Sequence, residues 1–100
     1  MPKAYMVFSY HSAPDPQKLA AYGKLAIPAF APFGARLLAR GTAAAAYERG
    51  LKERILIIEF PSVEKAIAAH DSPAYQVALK ELGDGAVRDV RIIEGVENSN

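Results

Sequence analysis

Residues 53–62 read ERILIIEFPS. Ile55, Leu56, Ile57 and Ile58 form an unbroken run of large apolar side chains, three of them β-branched, which favours strand. A strand over Glu53–Phe60 without polar alternation is expected to be buried on both faces. Pro61 and Ser62 stop it, and Ser62 is placed to cap a helix from Val63 to about His70. This stretch therefore predicts a central strand that passes directly into a helix.

Working outward, Ala4–Tyr10 is rich in strand formers and reads as the first strand. Asp15 reads as an N-cap with Pro16 at the first helical position. Leu19, Tyr22, Ala26 and Phe30 follow at spacings of three and four, the stripe of an amphipathic helix. Pro28 lies inside that stripe and is expected to kink or split the helix; Pro32 and Gly34 end it. Ala35–Ala39 reads as the second strand, with Gly41 either a bulge or the strand end. Ala43–Ala46 fits a helix or a continued strand leading to a turn at Arg49-Gly50. Downstream, Ser72-Pro73 starts a further helix through Tyr75, Val77, Leu79 and Leu82, closed by Gly83. Val87–Glu94 reads as the last strand, and Gly95–Asn100 as a loose tail. The order strand, helix, strand, strand, helix, strand is the split unit of ferredoxin-like folds, an α+β class with a four-stranded antiparallel sheet. The first and third strands are expected at its centre, parallel to each other, with the second and fourth at the edges.

Composition narrows the function. One hundred residues fit one domain, here read as residues 1–100 with its core over about 3–96. Of the 51% hydrophobic residues, 19 are Ala, so the core is thin and a partner surface is expected. Twelve basic against eleven acidic residues, spread along the chain, argue against nucleic acid as a partner. With no Cys there is no disulfide, thiolate metal site or Cys nucleophile. No signal peptide and no membrane-spanning run are read, so the default expectation is a cytoplasmic protein.

Strand alternation sorts the sheet residues. Ala4, Met6, Phe8, Tyr10, Leu37, Ala39, Leu56, Ile58, Phe60, Val90 and Ile92 form an apolar set expected under the helices. The opposite set mixes Tyr5, Val7, Leu38, Ile55, Ile57 and Ile93 with Ser9, His11, Arg36, Arg40, Glu59, Asp89 and Arg91. Such a face is too apolar for water, and a second copy packed sheet to sheet would cover it. His11, Arg40, Glu59 and Asp89 are expected to converge at one end of that face, with Arg40 opposite Glu59.

Ala39-Arg40-Gly41, Ile58-Glu59-Phe60-Pro61-Ser62, Ser72-Pro73-Ala74-Tyr75-Gln76 and Ile93-Glu94-Gly95 fall in the order and spacing of a small bacterial family. The chain resembles that family, domain of unknown function 1330, from about Lys3 to Val96. The resemblance implies a ferredoxin-like protomer of the dimeric α/β-barrel superfamily, whose relatives include antibiotic monooxygenases, muconolactone isomerases and haem-dependent enzymes. The family has no settled activity, so the resemblance assigns no catalytic residue.

Two functions are carried forward. In the first, the mixed face lines a pocket inside a homodimer that binds or converts a small organic molecule without metal or cofactor. Its candidate polar anchors are His11, Arg40, Glu59 and Asp89, with Tyr5 among the walls. In the second, the same face is filled by its twin in a non-catalytic module, and Arg40 with Glu59 is a cross-strand ion pair. His70 reads as a helix-end histidine, and Tyr22 and Tyr75 as core. Neither His11 nor His70 has partners at metal-ligand spacing.

Overall fold

The computed structural model describes residues 2–96. Strand β1 (Ala4–Tyr10) leads to helix α1 (Pro16–Phe30), which runs into a single 3-10 turn at Ala31–Phe33. Strands β2 (Arg36–Thr42) and β3 (Arg54–Phe60) follow, then helices α2 (Val63–Asp71) and α3 (Pro73–Leu82), and finally β4 (Arg88–Glu94). The sheet order is β2-β3-β1-β4 and every neighbouring pair is antiparallel. The three helices lie on one face.

The helix boundaries follow from side-chain chemistry. Asp15 accepts hydrogen bonds from the amides of Gln17 and Lys18, with Pro16 beginning the helix. Ser62 caps α2 by accepting from Lys65 N. Ser72 joins α2 to α3: its hydroxyl donates to the Ala69 carbonyl and accepts from Tyr75 N. Pro28 does not split α1, which runs as one helix from Pro16 to Phe30. It sits on the exposed side, one turn after the exposed Lys24, so the carbonyl deprived of its partner can turn to water.

The core takes up part of the alanine content. Ala26 and Ala29 of α1, Ala66 and Ala69 of α2 and Ala78 of α3 are all buried and let the helices approach closely. Against them the sheet sets Met6, Phe8, Tyr10, Ile58 and Phe60. Phe30 sits at the middle, stacked on Tyr75 at 4.4 Å and edge-on to Phe60 at 5.7 Å.

Three expectations are corrected. First, β1 and β3 are antiparallel, with Tyr5 opposite Glu59 and Ser9 opposite Ile55. The crossover through α1 leaves β2 parallel to β1, so β3, which folds back on β2 and lies between the two, must run against both. Second, β2 carries its irregularity between Leu37 and Ala39 rather than at Gly41. The extra residue reverses the faces beyond it: Ala39 opposes Ile57 on the open face, and Arg40 opposes Leu56 on the helix side. Third, Ala43–Ala46 is neither helix nor strand; it leads to a turn whose Gly50 N donates to Tyr47 O, 2.8 Å. Of the expected tail Gly95–Asn100, residues 97–100 lie outside the described residues. Among the described residues no helix is long and apolar enough to cross a membrane.

Candidate functional site

The corrected register separates the residues expected to converge. His11 and Asp89 do meet: His11 Nε2 donates to Asp89 Oδ2 at 2.9 Å, and Arg91 Nε lies 3.2 Å from Asp89 Oδ1. The His11 hydrogen bond is the main cause holding the Asp89 carboxyl below its usual range; partial burial opposes it and Arg91 adds to it. Glu59 stands at the other end of the face, about 13 Å away along β1. It opposes Tyr5 and Arg36, and its carboxylate is held by Lys3, Nζ to Oε1 3.4 Å. Arg40 is on the opposite side of the sheet. The expected Arg40–Glu59 pair is therefore absent, because the bulge at Leu38 shifts the register of β2.

Two concavities result. On the open face, the β2–β3 loop rises beside the His11–Asp89 pair and forms a trough of about 650 Å³ with Tyr47, Leu51 and Ile55 in its walls. Its ionic groups are His11, Asp89 and Arg91, already in contact with one another, although Asp89 Oδ1 is buried without a hydrogen-bond partner, and Arg49. The second concavity, of about 220 Å³, lies on the helix side between α1 and strands β1, β2 and β3. Phe8, Leu19, Ala26, Phe30, Leu56 and Ile58 make its apolar walls, and Leu37 and Ile27 its outer rim. Arg40 and Arg54 line it too.

The two arginines are placed by the sheet. Thr42 pairs with Arg54 and Arg40 with Leu56, so both guanidinium groups emerge on the helix side of neighbouring strands. Arg54 lies over the Tyr10 ring, 5.9 Å from its centre. Its Nε is buried without a hydrogen-bond partner, and neither arginine has an acidic partner among the described residues. A buried donor left unpaired costs roughly 1–3 kcal/mol, a cost that an acceptor reaching Arg54 Nε would remove.

Beside the cavity is a third guanidinium. Arg88 opens β4 and points to the helix side, 4.8 Å from the centre of the Tyr22 ring and 5.0 Å from that of Phe8. It donates to the hydroxyls of Tyr10 at 3.1 Å, Tyr75 at 3.3 Å and Tyr22 at 3.4 Å. Tyr22 and Tyr75 share a 2.6 Å hydrogen bond. Burial alone would loosen the Arg88 proton; the phenol oxygens of Tyr22, Tyr75 and Tyr10 outweigh it and hold the proton more tightly than usual. Burial, reinforced by Tyr22, pushes the Tyr75 phenol far above its ordinary value.

The sequence reading missed Arg54 and Arg88 and placed Tyr22 in the core alone. Strand alternation carried the signal: Arg54 is two residues before Leu56, and Arg88 two before Val90, so both extend the apolar set. Tyr22 is buried as expected and also lines the helix-side cavity. Tyr75 is wholly buried, and His70 sits at the end of α2 with Nδ1 3.0 Å from Asp71. Among the described residues no three His, Asp or Glu side chains are grouped to hold a metal ion.

Solved structures share this architecture. A protein of unknown function from Rhodopseudomonas palustris aligns with a TM-score of 0.73 at 19% identity, covering 96% of this chain and 84% of its own. SnoaB, a cofactor-independent oxygenase from Streptomyces nogalater, aligns with a TM-score of 0.63 at 12% identity, over 99% of this chain and 98% of its own. A dimeric ferredoxin-like protein of unknown function from Thermobifida fusca gives 0.62 at 18% identity, over 93% and 91%. At such identities the likeness is one of fold. No curated protein matches the sequence significantly. Residues 3–96 match the family described as domain of unknown function DUF1330. With that match spanning nearly the whole chain, and the split ferredoxin-like sheet in place, the protein belongs to the DUF1330 family.

Proposed function

We propose that the protein binds a small ring-bearing organic acid in the helix-side cavity, one per protomer of a homodimer. The observation that carries this reading is the pair of guanidinium groups, Arg40 and Arg54, at a largely apolar cavity, with no carboxylate among the described residues to neutralise them. An apolar cavity of about 150 Å³ accommodates benzene, so 220 Å³ leaves room for a ring with short substituents. The rings of Phe8, Phe30 and Tyr10 supply the flat walls, and the guanidinium fork suits a carboxylate. SnoaB, with its oxygenase activity, supports the idea that this fold can house chemistry on organic molecules. The Thermobifida fusca protein, itself dimeric, supports a homodimer, and the apolar open sheet face is where we place its interface. In that arrangement Tyr5, Glu59, His11 and Asp89 lie at or beside the contact with the partner.

The test is titration with benzoate, followed by amide chemical shifts. Perturbations are expected along α1 and β3, and Arg54→Met is expected to weaken binding at least about tenfold, the range for a lost charged hydrogen bond. Shifts confined to the open face, or binding indifferent to Arg54, would assign the ligand elsewhere.

A further inference from the structure

The phenols around Arg88 admit a count of protons. Each tyrosine hydroxyl has one proton to give. Arg88 donates to all three oxygens, so none of the three phenols can satisfy its own proton on that guanidinium. Between Tyr22 and Tyr75 there is one hydrogen bond and two protons. If Tyr22 were the donor, the Tyr75 proton would be left without an acceptor in a side chain with no exposure. If Tyr75 is the donor, the proton left over belongs to Tyr22, which lines the cavity, where a guest or water can accept it. The second arrangement leaves the spare proton on the residue that lines the cavity rather than on the fully enclosed one, and is the favoured one. Tyr75 keeps its proton, since burial pushes its phenol up. The Tyr10 hydroxyl likewise accepts from Arg88, has no acceptor for its own proton among the described residues, and lines the same cavity.

We propose that Arg88 is a positioning residue that turns the Tyr10 and Tyr22 protons toward the cavity, so that the ligand is a ring acid carrying a second oxygen acceptor, a carbonyl or an ionised hydroxyl. This deepens the reading above and rests on it. The polar side chains available there, Arg40, Arg54, Tyr10 and Tyr22, are then all donors. An acid group answers the arginines, and a second oxygen answers the phenols. A guest without that oxygen leaves phenol protons unpaired, which is how a donor site rejects a near-isostere.

The experiment compares two guests of nearly equal shape, 4-acetylbenzoate and 4-isopropylbenzoate, by calorimetric titration. They share the carboxylate and differ in a carbonyl oxygen against a methyl group. The wild-type protein is expected to prefer the acetyl compound by about tenfold or more. Tyr22→Phe and Arg88→Met are expected to reduce that preference to within about twofold while still binding the isopropyl compound; Arg88→Lys is expected to restore part of it. Tyr22→Phe keeps the ring and the Arg88 cation, so it carries the test if Arg88→Met does not fold. Equal affinity of the wild type for the two guests, or a preference that survives in Tyr22→Phe, overturns the role given to Arg88 and leaves the acid site standing. Failure of the wild type to bind either guest overturns the acid site itself and this inference with it.

Discussion

Arg54 shows how a single side chain can oppose stability and serve binding at once. Its Nε is buried and unpaired, and its charge has no acidic partner among the described residues; contact with the Tyr10 ring offsets only part of that cost. Arg54→Met keeps most of the length and removes the charge. It is expected to leave thermal stability unchanged or raise it by up to about 1 kcal/mol, while ligand affinity falls. A clear loss of stability in a melting experiment would mean that the guanidinium is a structural group. Asp89 is the opposite case. Its carboxyl is held below the ordinary value of 3.8 chiefly by His11, so it contributes stability above that value. The contribution fades as pH falls through the depressed folded value. Asp89→Asn is therefore expected to be less stable than the wild type near roughly pH 5, with the two melting curves converging in stronger acid. A constant difference down to the acid limit would assign the effect to something other than titration of this carboxyl.

At the scale of elements, the backbone around Gly34 fixes how α1 hands over to β2. Gly34 ends the 3-10 turn with φ 79°, and a Cβ there would stand 2.8 Å from Pro61 Cγ. Both the left-handed backbone and the close ring oppose a side chain, so Gly34→Ala is expected to cost roughly 1–3 kcal/mol, read as a lower denaturant midpoint with unchanged slope. The same element view shows what the sequence could reveal. Asp15, Ser62 and Ser72-Pro73 announce their helices because capping is local chemistry. The β1 limits follow from a run of strand formers bounded by Ser12 and Pro14. The bulge at Leu38 is not legible: no Gly or Pro marks it, and the residues Leu37, Leu38 and Ala39 fit either register. That one residue decides the side on which Arg40 lies, so the expected Arg40–Glu59 pair could not survive it. Arg88 and Arg54 were legible, by extending each strand's alternation past its apolar residues. Both lie inside the strands read from the sequence, Glu53–Phe60 and Val87–Glu94, but their polarity kept them out of the apolar set and nothing in the sequence marks a cavity beside them.

At the scale of the molecule, one sheet and one layer of helices make a slab only 15 Å deep in its thinnest dimension. Two-layer domains bury one face of the sheet against helices and leave the other to be dealt with. Here the uncovered side carries Tyr5, Val7, Ile55 and Ile57 half-buried and Ile93 61% exposed. The β2–β3 loop walls only the His11 end of it. A second copy related by a two-fold axis would cover the remainder with the same residues, so each apolar side chain counts twice. Ile57, on a central strand between Val7 and Ala39, is the position to probe. Ile57→Arg places an unpaired charge in such an interface, while in the isolated protomer its long chain can reach water from the open face. Sedimentation equilibrium at tens of micromolar, roughly the range where a standard interface is saturated, is expected to give twice 10.8 kDa for the wild type and 10.8 kDa for the variant, with matching circular dichroism. A wild type that sediments at 10.8 kDa would remove the dimer. A variant that stays at twice that mass would move the contact off this face and onto the exposed β2 edge, where Leu37 and Leu38 are each 45% exposed.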